Sequence, residues 1–288
     1  MSSLALALVL TSSVLHALWN LLMKRAGNST GVVFVWMVST LSGVVYAPIA
    51  ITVLLLQKPS LGVEEFFFIG GSAVLHIAYH LMLTQGYRIG DLSLVYPLAR
   101  GTGPMLSTAA AIILFKEQPT VIAIAGTVLI GLGVIVISGG KQRQSGHNSY
   151  RSISYALLTG LCIAMYTLWD KYAVGELLIL PIIFTWVSSL YRSLFLSAFA
   201  IKERPQAVRI WREHRFEILG VAVLSPLSYF LILVALVFSP VSYIAPAREL
   251  SILIGVALGS RLLLEGDTAR RLLAAGSIMM GVIFLAVG

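Results

Sequence analysis

Residues 119–138 read PTVIAIAGTVLIGLGVIVIS, twenty residues without one charged side chain. A helix of about 20 apolar residues is what a hydrocarbon core of about 30 Å requires. Working outward, comparable apolar runs fall near residues 3–23, 31–56, 66–86, 92–115, 152–172, 177–200, 217–238, 241–264 and 270–287. Ten such spans consume about 200 of the 288 residues. The breaks between them carry loop chemistry, such as Lys58-Pro59-Ser60, Gln118-Pro119-Thr120 and Ser239-Pro240. The longest connections are expected at 139–151 and 202–215, leaving no room for a separate soluble domain.

Composition agrees. The chain is 58% apolar and 11% charged, against roughly 25% charged in soluble domains. A closed outer-membrane barrel would show strands of about ten alternating residues, and these are missing. The expected class is therefore an all-α integral membrane protein with ten transmembrane helices. Met1-Ser2-Ser3-Leu4 lacks a basic leader, so the first apolar run reads as a retained helix. The single Cys162 excludes an intrachain disulfide and a multi-cysteine zinc site.

The chain also repeats itself. A shift of 148 places Ala99-Arg100 on Ala247-Arg248, Glu117 on Glu265, Thr120 on Thr268 and Gly133-Val134-Ile135 on Gly281-Val282-Ile283. A shift of 150 brings Leu18-Trp19 onto Leu168-Trp169, with Asn20 on Asp170. Two five-span halves follow, 1–140 and 152–288, joined by a basic linker at 141–151. Five is odd, so the second half enters the membrane inverted. Inverted repeats typify secondary transporters, with the site near the midplane between the halves.

The net charge of +8 belongs to short loops beside apolar spans, which favours membrane orientation over nucleic-acid binding. Thirteen Lys and Arg residues follow odd-numbered spans: Lys24, Arg25, Arg88, Lys141, Arg143, Arg151, Lys202, Arg204, Arg209, Arg212, Arg215, Arg270 and Arg271. Three, Lys58, Lys116 and Lys171, lie on the other side. The odd loops are therefore expected in the cytoplasm of a bacterial cell, with both termini outside the inner membrane. Trp211 and its basic neighbours suit anionic headgroups.

The stretch from Gly90 to Gly101, GDLSLVYPLARG, followed by Phe115-Lys116-Glu117-Gln118-Pro119-Thr120 and a glycine-rich helix, resembles the EamA branch of the drug/metabolite transporter superfamily. Ser239 to Arg248, SPVSYIAPAR, then Glu265 and Thr268, resembles its second copy. The resemblance covers nearly the whole chain and is specific for fold but weak for substrate. It implies ten helices in two inverted halves and alternating-access export of small metabolites. It also implies a cavity lined mainly by helices one, three, four, six, eight and nine. One departure is Gly266-Asp267 where the first copy has Gln118-Pro119; Asp267 or Thr268 can still cap the next helix.

Arg100, Arg192 and Arg248 lie inside apolar spans, where a charge costs at least about 2.5–3.5 kcal/mol. Guanidinium matches a carboxylate or phosphate bidentately, so Arg100 and Arg248 are candidate anion ligands. Arg192 is the weaker candidate, because the resemblance places its span outside the cavity. The structural alternative pairs Arg100 or Arg248 with Glu249 or Asp170. On the fourth span Tyr96, Arg100, Gly103 and Ser107 share a face, with Pro97 and Pro104 interrupting the ladder. His16, Trp19 and Asn20 share a face on the first span, and His76, Tyr79 and His80 on the third. They read as substrate contacts or as interhelical hydrogen-bonding groups; no carboxylate or cysteine set completes a metal shell.

Tyr166, Trp169 and Asp170 form a similar face on the sixth span, and Ser225, Ser228, Tyr229 and Ile232 on the eighth. Tyr243 precedes the charged pair on the ninth. The aromatics suit stacking or cation–π contact, or else an interfacial belt. Asp170 and Glu249 are candidate proton carriers, with a structural salt bridge as the alternative. Glu117 and Glu265, beside Thr120 and Thr268 at helix turns, read as structural acceptors of backbone N–H groups.

Together these features predict a secondary transporter, not an enzyme, that exports or exchanges a small anionic or zwitterionic metabolite such as an amino acid or organic acid. No P-loop, nucleophile elbow or zinc helix is present, and no cofactor is expected. The bilayer is the expected surrounding, with a second copy as a further partner to consider and nucleic acid excluded. The rival reading is a lipid flippase-like or lipid-modifying protein, for which a greasy lateral groove would be the signature.

Overall fold

The computed structural model describes residues 1–26, 31–89, 92–138, 149–254 and 268–288. They form α1 (Ser3–Ala26), α2 (Val32–Gln57), α3 (Val63–Ile89), α4 (Leu92–Leu114) and α5 (Val121–Ser138) in the first half. The second half holds α6 (Ser149–Gly175), α7 (Pro181–Lys202), α8 (Arg204–Phe238), α9 (Val241–Ala247) and α10 (Thr268–Val287). Residues 250–254 are helical again after a turn at Arg248 and Glu249. No strand occurs among the described residues.

Six helices, α1, α2, α3, α6, α7 and α8, are long and apolar enough to cross a membrane by length and composition. The apolar parts of α4, α5 and α10 are shorter, at Leu98–Leu114, Val121–Val136 and Leu273–Val287. Outward faces carry exposed Leu56, Phe67, Ile113 and Phe199, which a hydrocarbon solvent accepts and water would not. The interior places small or hydroxylated side chains between helices, as membrane packing favours.

Contacts cross between the halves. Helix α1 packs on α8 and α3 on α6, while α2 pairs with α7 and α5 with α10. Ser12 and Ser228 bond reciprocally: each hydroxyl donates to the other's carbonyl, at 2.8 and 3.1 Å. Trp36 Nε1 donates to Ser197 Oγ (3.2 Å), and Thr40 shares a 2.7 Å hydroxyl bond with Ser193. On α5, a Cβ added to Gly126 would lie 2.7 Å from the Gly281 carbonyl; one on Gly133 would lie 3.0 Å from that of Ala274. Rising numbers on α5 thus meet falling numbers on α10, so these equivalent helices run antiparallel. Glycine at the crossing lets the two backbones touch.

Turn chemistry sets the ends. Thr120 Oγ1 accepts the Ala123 N–H at 3.1 Å, capping α5. The Glu117 carboxylate accepts two N–H groups, from Val241 (2.7 Å) and Ser242 (2.9 Å). It therefore caps α9 of the opposite half and not the helix that follows it in sequence. Glu265, Gly266 and Asp267 lie outside the described residues.

The structure corrects two expectations. The connection 202–215 is helical: α8 begins at Arg204, one residue after α7, with a kink at His214 (φ −131°, ψ 26°). Its charges mark an amphipathic helix, with Ile210 buried and Trp211 exposed, not a loop. The expected span 241–264 is interrupted near Pro246, where a helix-breaking point is expected: α9 ends at Ala247, Arg248 and Glu249 form a turn, and residues 250–254 are helical again. Residues 139–148, most of the expected linker, lie outside the described residues, and α6 already begins at Ser149.

Candidate functional site

Polar side chains converge where the two halves meet, around a cavity of about 90 Å³. Helix α1 contributes His16 and Trp19, α3 contributes His76, Tyr79 and His80, and α4 contributes Arg100. From the second half come Tyr166 of α6, Ser225, Ser228 and Tyr229 of α8, and Arg248 at the turn after α9. Helix α7 adds Phe184, Thr185, Ser188 and Arg192. A smaller cavity of about 50 Å³ shares Trp19, His80 and Arg192 and continues past Met23 and Phe34 toward the α1–α2 end.

The ring positions follow from local bonds. His76 donates its Nδ1 hydrogen to the Ser72 carbonyl (2.9 Å), one turn back, which fixes the tautomer and turns Nε2 away from its own helix. Its ring stacks on Tyr166 with centroids 4.2 Å apart and meets Tyr229 edge-on at 5.2 Å. His16 stands edge-on to Trp19 at 4.6 Å. Its Nε2 faces Arg100 Nη2 at 3.1 Å. Because a guanidinium can only donate, that nitrogen is the acceptor and the imidazole is neutral.

Each carboxylate lies behind the wall. Glu249 is buried, and its Oε2 is 3.6 Å from Arg100 Nε, an ion pair too long to count as a hydrogen bond. Asp170 is fully buried and accepts a very short hydrogen bond from the Tyr229 hydroxyl. Neither carboxylate lines the cavity. The Arg248 guanidinium lies over the Tyr229 ring, 5.6 Å from its centroid. Arg192 donates from Nη2 to Ser189 Oγ (3.1 Å), while its Nε is buried without a hydrogen-bond partner among the described residues.

Nine sequence-predicted residues therefore share one wall: His16, Trp19, His76, Tyr79, His80, Arg100, Tyr166, Tyr229 and Arg248. Others do not join them. Asn20 is exposed and bonds back to the His16 carbonyl (2.7 Å). Trp169 donates to the Phe68 carbonyl (2.7 Å) and packs against that ring on α3. Tyr243 donates to the Gly288 carbonyl (3.3 Å) and accepts the Thr120 N–H (3.4 Å), away from the cavity. Tyr96 is on α4, its side chain outside the described residues. The contribution of α7 was the main omission. Its signal was present in the helical spacing of Thr185, Ser188, Ser189 and the intramembrane Arg192. Among the described residues no three histidine, cysteine or carboxylate side chains are grouped to hold a metal.

Beyond the wall, a lateral apolar groove of about 730 Å³ is lined by Phe68, Leu75, Phe115, Met165, Trp169 and Tyr172. Phe68 stacks on Tyr172 within it, with centroids 5.2 Å apart.

The sequence profile of the EamA-like transporter family matches residues 3–139 and again residues 151–287. A solved structure described only as the crystal structure of a protein is similar over 100% of this chain and 98% of its own, with a TM-score of 0.79 and 12% identity. That likeness concerns the fold alone. No curated protein matches the sequence significantly. With two copies of the profile accounting for both helical halves, the chain is a multi-pass membrane protein and belongs to the EamA-like transporter family.

Proposed function

We propose that the protein is a secondary transporter that moves a small anionic metabolite across the bacterial inner membrane by alternating access. One observation carries the reading: three guanidinium groups and three imidazoles line the central cavity, while both neighbouring carboxylates, Asp170 and Glu249, are withdrawn behind it. An anion entering this cavity meets donors from both halves. At about 90 Å³ it is smaller than the roughly 300–1,000 Å³ of drug-sized sites, which suits a compact metabolite.

The antiparallel crossing of α5 and α10 supports inverted halves, and the three shorter apolar helices beside the six long ones account for nine of ten spans, the tenth opening at α9 and falling partly outside the described residues. Rocking of the halves would expose the cavity to each side in turn. The smaller cavity leading past Met23 and Phe34 supports a conformation directed to the side assigned to the cytoplasm. At the opposite end, Glu117 ties the α4–α5 turn to α9. Lys171 Nζ there donates to the Leu236 and Ser239 carbonyls at 2.6 and 3.2 Å. Asp170 and Glu249 are the groups available to carry a proton.

The test compares untargeted metabolite profiles of cells lacking the protein, cells expressing it, and cells expressing Arg248→Ala at equal membrane abundance. An anionic metabolite is expected to shift with the wild type alone. Profiles unchanged by the wild type would overturn the reading. The lateral groove favours a second reading, movement of lipid; under it, flux would survive Arg248→Ala and fall when Trp169 is altered.

A further inference from the structure

We propose that the transported molecule is an organic anion with two acidic groups and no ammonium group, a dicarboxylate or a phosphorylated acid, held between Arg248 and Arg192. This rests on the anionic-site reading above and narrows it.

One of the three guanidinium groups already has a carboxylate beside it. Arg100 has Glu249 behind it and His16 in front of it. Position 101, which matches Glu249 under the 148-residue offset, is glycine, so the carboxylate beside one arginine of the symmetric pair has no counterpart beside the other. Glu249 belongs to the turn that carries Arg248, yet its ion pair is with Arg100 of the opposite half. Arg248 is left over the Tyr229 ring, at the cavity wall. Arg192 reaches the same wall from α7, and its buried Nε still has a hydrogen to donate. Both are charged neighbours of Asp170, whose carboxylate accepts the Tyr229 hydroxyl hydrogen and does not line the cavity. Two guanidinium groups on different elements, facing one screened carboxylate, make two stations for anionic oxygen.

The same wall is poorly suited to a cationic group. An ammonium group in a low-dielectric cavity is held most strongly by a carboxylate or an open aromatic face, hydroxyl and carbonyl oxygens being weaker partners. No carboxylate lines the cavity among the described residues. The Tyr229 face is covered by Arg248 and Tyr166 is stacked by His76, which leaves Trp19, Tyr79 and Phe184 as the other aromatic side chains of the wall. An amino acid would bring its ammonium group into the field of three guanidinium groups, with the opposing carboxylates Asp170 and Glu249 set back from the wall.

Purified protein in detergent, titrated at constant ionic strength, tests this with four probes: succinate, 2-phosphoglycolate, butyrate and L-aspartate. Butyrate removes one charge from the succinate frame, and aspartate adds an ammonium to it. Succinate or 2-phosphoglycolate is expected to bind at least tenfold tighter than butyrate and aspartate, and the tighter of the two identifies carboxylate or phosphate as the second group. Arg192→Ala and Arg248→Ala should each bring the dianion down to the affinity of butyrate, with Arg192→Lys recovering part of the difference. Aspartate equal to succinate, butyrate equal to succinate, or a dianion preference that survives both alanine variants would overturn the proposal. Butyrate binding as tightly as succinate, and still requiring Arg248, would leave the anionic site standing while removing the dianion. Binding of none of the four would remove both. If an alanine variant fails to fold, the wild-type ranking decides.

Discussion

Ser277 donates its hydroxyl hydrogen to the Leu129 carbonyl at 2.7 Å, and the two residues are 148 positions apart, the same offset that superposes the two halves in sequence. Equivalent positions can touch only where a two-fold relationship passes between them. The α5–α10 crossing is therefore the line about which the halves are arranged, and glycines on both sides bring it to backbone contact.

Gly281→Leu should consequently destabilise the protein by about 1–3 kcal/mol, since the new side chain has only the Gly126 carbonyl and Ile130 to displace. Gly276, on the same helix, has open space at its Cβ position. Gly276→Ala should leave stability unchanged or raise it by roughly 0.5–1 kcal/mol. Thermal unfolding in detergent compares the pair, and equal losses would contradict the crossing.

Glu117 joins the halves at one end by accepting two backbone hydrogens of α9. Glu117→Ala leaves both without an acceptor and should cost on the order of 1–3 kcal/mol. Glu117→Gln keeps one acceptor oxygen and should lose less. The ordering Ala worse than Gln, measured by thermal unfolding, separates this cap from a general charge effect.

The Arg100–Glu249 pair predicts non-additive losses. Removing either partner strands a buried charge, at about 3–5 kcal/mol, whereas the double change Arg100→Met with Glu249→Gln should recover a large part of that. The same cycle with Arg248 in place of Arg100 should give weaker coupling, because Arg248 makes its close contact with Tyr229. Stronger coupling to Arg248 would reverse the assignment of roles.

Tyr229→Phe removes the hydroxyl that donates to Asp170. The buried carboxylate then loses that donor at a cost of about 1–3 kcal/mol, and adding Asp170→Asn should restore most of the stability. If transport is recovered together with stability, Asp170 is not a proton carrier. If stability returns without transport, Asp170→Asn alone, with the Tyr229 hydroxyl of the cavity wall kept, decides whether the carboxylate or the hydroxyl is required.

Orientation has its own measurement. In a Cys162→Ser background, a cysteine next to Met1 should react with impermeant reagent on intact cells, and one at position 145 should not. The reverse pattern would invert the topology implied by the thirteen-to-three distribution of Lys and Arg.

Much of this was legible in the sequence because membrane crossing and helical periodicity are local properties. His16 with Trp19, and His76 with Tyr79 and His80, each share a face by spacing alone, and each group lines the cavity. What spacing could not give was the direction of a face whose members diverge. Tyr166 and Trp169 are three residues apart on α6, yet Tyr166 faces the cavity and Trp169 turns to α3. Arg192 stood out as a charge in an apolar span, but its place on the wall depends on how α7 packs against α2 and α3. The basic segment at 202–215 lacks an apolar run long enough to mark a helix by composition, so its helicity shows only in three dimensions. A helix burying Ile210 on one side keeps its arginines on the other.

The unmatched carboxylate at Glu249 has a consequence for the shape of what can be recognised. Two identical five-helix chains related by a two-fold axis would have to place an acid beside both arginines or beside neither. Their cavity would be a palindrome, equally suited to either end of its guest. Joined in one polypeptide, the halves are free to drift apart at single positions, and glycine at 101 opposite glutamate at 249 is such a difference. The cavity thereby acquires a head and a tail, so a molecule with two unlike ends has only one way to lie in it.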